Sequence, residues 1–425
     1  MIKDLIQKSV SFLFLICLIL TPSLLVGQKK NSKNNLPSIF SVKKTTDAVT
    51  VGENKVAYQA TVGLIPLLDK AEEDTLAQMS YTAYFKKNDI ADKPKRPITF
   101  LFNGGPGSAT LWLHIGAFGP KRVVIDSTKH AGGAPYDLVN NDYSLLDTSD
   151  LVFVDAPGTG FGRIAKGSLG EFYGADEDAQ AFAQFIERFI TKYERWNAPK
   201  FLFGESYGTT RSAVLVNALQ KRSINMNGVI FLSQILSYTN YIDGTTADPG
   251  NDKPFELALP TYAATAWYHD KLPSRHKNLD KLLKEVQDFA LNDYSVALNK
   301  GASLKKTEFN KIAERLHQYT GLSINYLKKA NLRVNGGEFR QELLQEKDLN
   351  TGRLDTRFTG FALDPLSQRP GYDPQSSAIG GAYVGLFNEY IRKKLDYDEA
   401  YTYRLRAQNF SRTRWKKSTA SFPVP

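Results

Sequence analysis

Residues 201–208 read Phe-Leu-Phe-Gly-Glu-Ser-Tyr-Gly, and this short stretch is the strongest indication of the fold class. Its first three residues predict a buried strand, and residues 212–219 predict a helix soon afterwards. Between them, Gly204, Ser206 and Gly208 fit the pattern Gly-x-Ser-x-Gly, which places a nucleophilic serine on a sharp strand-to-helix turn. Glycine suits both flanking positions because neighbouring backbone crowds such a turn. The alternative is a tight turn without chemistry, but the strand-to-helix context favours Ser206 as a nucleophile.

The segments around this turn predict alternating strands and helices. The predicted elements are strands at 77–87, 98–102, 151–154 and 229–232 and an amphipathic helix at 175–196. In the first of these strands, the side chains expected on one face are Met79, Tyr81, Ala83 and Phe85. Strands that alternate with helices indicate an α/β fold, in which a mostly parallel sheet carries helices on both faces.

The chain divides into a core and an insertion. Residues 28–239 contain the strands and the serine turn, so they form the first part of the core. From 240 to 360 the pattern changes to polar, helix-like segments, including 278–291 and 304–319, which predicts an inserted helical cap. Residues 361–425 are then expected to return to the core.

The first 27 residues have the layout of a signal peptide. Lys3 and Lys8 precede an apolar run over 10–20, and small or turn-forming residues follow it. A membrane anchor is the alternative, but the run is shorter than the roughly 20 apolar residues that a spanning helix needs. The sequence therefore predicts export to the periplasm or the outside, with no stable membrane association after removal of the signal. Cys17 is the only cysteine, so no disulfide is expected in the mature chain.

Composition excludes several function classes. A hydrophobic content of 42% over 425 residues is typical of a globular enzyme, not of a disordered chain. The net charge of +10 raises the question of nucleic acid, but basic residues are scattered among acidic ones, and only 404–417 forms a basic cluster. We expect a solvated surface and no nucleic-acid partner. No His or Cys residues have the spacing of metal ligands, and no cofactor is expected.

A second glycine-rich motif follows an earlier predicted strand. Residues 103–107 read Asn-Gly-Gly-Pro-Gly, and adjacent glycines let backbone amides approach a bound acyl group closely. The N–H groups of Gly105 and Tyr207 are therefore candidates for an oxyanion hole. The alternative is a Gly-Pro turn without a catalytic role. A phosphate-binding loop is disfavoured because no Gly-Lys-Ser/Thr follows.

These two motifs, together with Asp-Ala-Pro-Gly-Thr-Gly-Phe at 155–161, resemble the serine carboxypeptidase family. The resemblance extends over most of the chain after the leader. It implies an α/β-hydrolase fold, attack by Ser206 on the C-terminal peptide bond, and binding of the free carboxylate of a peptide substrate by Asn103 and Glu205. Because two carboxylates cannot both stay ionised at hydrogen-bond distance, it also implies an acidic optimum. The alternative for Glu205 is an ion pair with Arg211.

The chain also departs from the family at the proposed carboxylate site. The family has a tryptophan two positions before the Asn and an acidic residue two positions before a later Gly-Pro, where this chain has Leu101 and Ala117. Trp112 and His114 are candidates either for reshaping the pocket or for packing. The departures leave open a serine esterase or acyltransferase on the same fold.

The acid and the histidine of a catalytic triad are not found in the sequence. In this fold they follow the serine on late core loops. The five histidines are His114, His130, His269, His276 and His317. Two of them precede Ser206 and three fall in the predicted cap. Our hypothesis is that the sequence is C-terminally truncated or frame-shifted, so that the last core strands are missing, and a non-catalytic relic is a further alternative.

Overall fold

A computed structural model describes part of the 425-residue chain. The described residues are 36, 42–87, 95–243, 248–397 and 401–407. The predicted signal peptide at 1–27 lies outside these ranges. Within them, no helix combines the length and apolar character that crossing a bilayer requires.

One large sheet organises the core. The strands are β1 Lys43–Val51, β2 Asn54–Leu68, β3 Thr75–Lys86, β4 Ile98–Phe102, β5 Lys121–Val123, β6 Leu138–Asn140, β7 Asp150–Val154, β8 Arg163–Ile164, β9 Lys200–Glu205, β10 Gly228–Leu232, β11 Leu349–Thr351 and β12 Thr359–Phe361. The strand order in the large sheet is β1-β2-β3-β7-β4-β9-β10, and β8 pairs with β3. The strands β7, β4, β9 and β10 run parallel to one another, whereas β1 to β3 form an antiparallel wing.

Burial of the strands follows the predicted pattern. On β3, Met79, Tyr81 and Ala83 join one hydrophobic cluster, whereas Tyr84 joins the cluster on the opposite face. Every residue of β4 and β7 is buried, as expected for strands covered on both faces.

Helices cover both faces of this sheet. The helices of the described residues are α1 Leu111–Leu113, α2 Ala175–Lys192, α3 Tyr207–Gln220, α4 Lys253–Tyr268, α5 Leu279–Phe289, α6 Ser295–Lys300, α7 Lys306–Thr320, α8 Ile324–Lys329, α9 Gly336–Glu342 and α10 Pro374–Glu389. Single π-helical turns extend α1, α5 and α10, at His114–Phe118, Ala290–Tyr294 and Tyr390–Lys394. Helices α2 and α3 pack on one face, and α1 and α10 pack on the other. The predicted α/β architecture, with helices on both faces, is confirmed.

The region predicted as a cap contains helices α4 to α9. Their apolar residues form a hydrophobic cluster of their own, which includes Leu259, Val286 and Leu316. The region also ends in the short hairpin β11–β12, which the sequence pattern did not predict. The boundaries of the cap at 240 and 360 stay a prediction.

Two peripheral features matter for the site. Among the described residues, β10 is the edge strand of the sheet, and its apolar residues Ile230, Phe231 and Leu232 are 40–43% exposed. Residues 402–407 form no regular strand, but their backbone pairs with the loops that follow β4 and β7.

Candidate active site

Ser206 occupies the turn between β9 and α3. Its backbone has φ 56° and ψ −124°, an unusual conformation for a residue with a side chain. The Ser206 N–H donates to the Leu232 carbonyl at 2.9 Å, which ties the turn to β10. Ser206 is partly exposed, and its hydroxyl makes no hydrogen bond to another described residue. Strained residues of this kind concentrate at functional sites, where surrounding structure holds them.

The structure explains both glycines of the Gly-x-Ser-x-Gly motif. A Cβ on Gly204 would clash with the Gly208 carbonyl and would lie 2.7 Å from Ser212 Oγ. A Cβ on Gly208 would lie 3.0 Å from the Phe102 carbonyl oxygen of β4. The backbone of the turn is therefore in close contact with the first residues of α3 and with the neighbouring strand β4.

The segment 103–107, which we call the glycine loop, lies directly against this turn. A Cβ on Gly104 would clash with Tyr207 N and would lie 2.7 Å from the Glu205 carbonyl oxygen. Gly105 has φ 113°, which a residue with a side chain rarely adopts, and it precedes a cis Pro106. The loop backbone and the first residue of α3 are thus in contact, as an oxyanion hole made by Gly105 and Tyr207 requires. The hole itself stays a prediction.

Asn103 and Glu205 are also brought together. Asn103 Nδ2 donates to Glu205 Oε2 at 3.0 Å, and the Gly104 N–H approaches the same oxygen at 3.3 Å. The Leu113 N–H donates to Asn103 Oδ1 at 3.2 Å, which fixes the orientation of the amide. The two side chains predicted to bind a substrate carboxylate therefore form one hydrogen-bonded pair next to Ser206.

Arg211 has a different partner from the one considered for it in the sequence. Its guanidinium pairs with Asp178, Nε to Oδ2 at 2.6 Å, and both side chains are buried. Nη1 also donates to the Asn103 carbonyl at 2.8 Å. Burial raises the pKa of the Asp178 carboxyl, and the charge of Arg211 opposes that shift. Arg211 therefore holds the first residue of the glycine loop, Asn103, through its backbone carbonyl.

The residues at the departures from the family are mostly packed. Leu101 is fully buried within β4, and the Ala117 carbonyl accepts a hydrogen bond from Asn141. Trp112 packs against Tyr383, with ring centroids 5.0 Å apart.

None of the five histidines is hydrogen-bonded to Ser206 within the described part of the chain. His114 is buried beside β3 and β7, with Nε2 2.6 Å from the Tyr84 hydroxyl and its ring stacked on Phe153. Burial lowers the pKa of His114 to about 3, so this ring is neutral and structural. His269 and His317 make hydrogen bonds to backbone carbonyls in the helical region.

Asp155, the first residue of the 155–161 motif, has a structural role that the sequence did not predict. It is buried at the end of β7, where Oδ2 accepts from Ser80 at 2.7 Å and Oδ1 accepts from the Thr110 N–H at 2.9 Å and from the Tyr403 hydroxyl at 2.8 Å. Burial raises its pKa, and these donors oppose the shift. A Cβ on Gly160 would clash with this carboxylate. An acidic residue directly after a buried strand, followed by glycines, was the available signal.

No group of three or more His, Cys, Asp or Glu residues within the described ranges is arranged to hold a metal ion.

Comparisons with known proteins give a consistent picture. A sequence profile described as serine carboxypeptidase matches residues 52–356. The pheromone-processing carboxypeptidase KEX1 of Saccharomyces cerevisiae is 29% identical over 195 residues, which are 39% of this chain and 25% of that protein. Serine carboxypeptidase-like 11 of Arabidopsis thaliana is 23% identical over 248 residues, 56% of this chain and 54% of that protein.

The chain thus spans about a quarter of the length of the yeast relative and about half that of the plant relative. Among solved structures, the prohormone-processing carboxypeptidase Kex1Δp of Saccharomyces cerevisiae is 20% identical, with a TM-score of 0.36. That match covers 62% of this chain and 53% of the other.

Proposed function

Because the chain belongs to the serine carboxypeptidase family, we propose that it releases C-terminal residues from peptides by acyl-enzyme chemistry on Ser206. The observation that carries the proposal is the conformation of Ser206, at φ 56° and ψ −124°, between a strand and a helix. A simple connection would not need this strained geometry, whereas a nucleophile held toward an oxyanion hole does.

The proposed reaction starts with attack of Ser206 Oγ on the carbonyl carbon of the last peptide bond. The negative charge that develops on the carbonyl oxygen is stabilised by the N–H groups of Gly105 and Tyr207, the latter at the N-terminus of α3. As the C–N bond breaks, the proton lost by the Ser206 hydroxyl is taken up by the amine of the released residue. Water then attacks the acyl-serine, and its C–O bond to Oγ breaks to give the carboxyl group of the shortened peptide and the free serine hydroxyl. The general base is not assigned to any of the five histidines.

Specificity for a free C-terminus is proposed to lie with Asn103 and Glu205. The amide of Asn103 is oriented by Leu113 N–H, so its Nδ2 group points at Glu205 and at any carboxylate that binds beside it. Glu205 accepts such a carboxylate only when the pair shares a proton, because two ionised carboxylates repel each other strongly at this distance. Peptide release is therefore expected to be fastest under acidic conditions.

Labelling with a fluorophosphonate tests the nucleophile. We expect covalent labelling of the purified chain, loss of that labelling in Ser206→Ala, and retention in Ser212→Ala. Ser212 is a matched control because it is a serine within α3, close to the turn, whose hydroxyl donates to the Gly208 carbonyl at 2.8 Å. Labelling that persists in Ser206→Ala, or a wild-type chain that never labels, would contradict the proposal.

A second function on the same site is favoured by one observation. Leu101, where the family has tryptophan, is buried in β4 and does not contribute to a carboxylate site. A serine esterase or acyltransferase would not need such a site. Comparing peptides that differ only in a free or amidated C-terminus separates the two, because only a carboxypeptidase requires the free end.

We also propose that residues 1–27 are a signal peptide and that the mature chain is periplasmic or extracellular. N-terminal sequencing of the protein recovered from its producing cell, with cleavage near Gly27 expected, tests this proposal.

A further inference from the structure

The two ends of the glycine loop are held by different parts of the fold. At the upstream end, Arg211 and Glu205 bind Asn103, as described above. The turn itself contains a bond from the Ser108 N–H to the Gly104 carbonyl at 3.2 Å. Gly105 is a residue with wide conformational freedom, so the direction of its N–H depends on what restrains the loop on both sides.

The downstream end is held by residues 402–407, which we call the strap. The Ala407 N–H donates to the Gly107 carbonyl at 2.9 Å, and the Ala109 N–H donates to the Leu405 carbonyl at 3.0 Å. Between these bonds, Ser108 and Arg406 form an antiparallel bridge. The strap thus acts as a short extra strand along the exit of the glycine loop.

The strap is itself anchored to the buried end of β7. The Tyr403 hydroxyl and the Thr110 N–H donate to the same oxygen of Asp155, at 2.8 and 2.9 Å. Arg404 and Gly160 exchange two backbone bonds of 2.8 and 2.9 Å. One buried carboxylate therefore joins the strap to Thr110, the residue that precedes α1.

We infer that the strap is a positioning element for the reaction, which fixes the Gly105 N–H toward the oxyanion through Gly107 and Asp155. This inference rests on the proposed function, because the amide direction matters only if an oxyanion forms beside Ser206. Tyr403 is a positioning residue: its hydroxyl is bonded to Asp155, and it acts through the loop.

Tyr403→Phe tests the inference. The variant keeps the ring and its packing on Phe387 and Phe161, with centroids 4.4 and 5.2 Å away, and removes only the hydroxyl. We expect hydrogen exchange of the Ala109 and Ala407 amides to become faster. The rate constants for peptide release and for fluorophosphonate attack should both fall about tenfold, while KM and the affinity for the inhibitor stay unchanged. This loss is smaller than the roughly 10²–10³-fold loss that follows removal of an oxyanion donor.

Tyr262→Phe is the matched control. Its hydroxyl is also buried, and it donates to the Val334 carbonyl at 3.2 Å within the helical region. Loss of a buried tyrosine hydroxyl there should leave both the exchange of the glycine loop and the kcat unchanged. If Tyr403→Phe does not fold, Arg163→Lys is the second variant, because it removes the guanidinium whose Nη2 donates to the Thr402 carbonyl of the strap at 2.8 Å and whose Nη1 donates to the Gly160 and Gly162 carbonyls.

The inference is overturned if exchange at Ala109 and Ala407 stays at the wild-type rate in Tyr403→Phe. It is equally overturned if exchange rises while kcat is unchanged, since the strap would then be structural only. Hydrolysis that survives in Ser206→Ala, or a wild-type chain that does not turn over, would instead refute the proposed function. In either case the exchange rates still decide whether the strap restrains the loop.

Discussion

Adding one methyl group at Gly104 should uncouple the glycine loop from the serine turn. The Cβ of an alanine would lie 2.7 Å from the Glu205 carbonyl oxygen and 2.9 Å from Gly208 N, and closer still to Tyr207 N. Ordinary contact begins near 3.4 Å, and all three neighbours are backbone atoms, so the two segments must separate by at least about 0.7 Å.

The size of the effect follows from that displacement. Overpacking of this kind costs about 1–3 kcal/mol of unfolding free energy. A shift approaching 1 Å at a reacting centre lowers the rate by about 10²-fold. Gly104→Ala should therefore react with fluorophosphonate about a hundredfold more slowly than the wild type. The two rates are compared at a temperature at which urea titration shows that the variant is fully folded.

Gly380→Ala provides the matched control. Gly380 lies in α10, where a Cβ would meet no atom within 4 Å. This change should leave the labelling rate unchanged and stabilise the fold by about 0.5–1 kcal/mol, because alanine is the better helix former. Wild-type labelling and stability in Gly104→Ala would refute the proposed contact between the loop and the turn.

Three further outcomes are expected. The rate of release from free-carboxylate peptides should fall as the pH rises from about 5 to about 8. Glu205→Gln should flatten this pH profile, because it removes one of the two like charges. An unchanged profile in the variant would contradict the role of Glu205. The pKa of His114 is lowered from 6.5 to about 3. Between these two pH values the unfolded chain binds a proton that the folded chain lacks, so the free energy of unfolding falls as the pH is lowered, by up to about 1.4 kcal/mol per pH unit. In urea titrations across that window, His114→Phe should show a shallower pH dependence than the wild type; equal slopes would refute a neutral buried ring. Asp178→Asn should lose about 3–5 kcal/mol in a urea titration, because Arg211 then stays buried without its counter-ion, whereas the exposed Asp126→Asn should change little.

The elements that the sequence predicted well are those whose side chains carry a periodic signal. The alternation on β3 and the apolar runs of β4 and β7 reflect burial directly, and the structure confirms all three. The turn at Ser206 was predictable because crowding by backbone atoms excludes side chains at Gly204 and Gly208. Its helix was expected from Ser212 but begins at Tyr207, since the weak helix formers after the serine are held by tertiary packing.

The parts that were missed depend on tertiary contacts. The β1–β2 hairpin lacks a clear pattern because Val49 is the one fully buried residue of β1, and β2 contains Gly63 and Pro66, residues uncommon inside strands. The strap was missed because backbone hydrogen bonds hold it, and these leave little trace in side-chain composition. Within the site, the resemblance to the family suggested Asn103 and Glu205, but only the folded chain shows that they bond to each other.

The bond between Tyr403 and Asp155 joins residues 248 positions apart, so biosynthesis fixes when it can form. A ribosome that adds about 5–20 residues per second makes Tyr403 roughly 10–50 s after Asp155. From the addition of Ser206 until that of Tyr403, the nascent polypeptide contains its serine but lacks the residue that bonds to Asp155. The glycine loop therefore gains its Tyr403–Asp155 anchor only after nearly all of the described chain has been made.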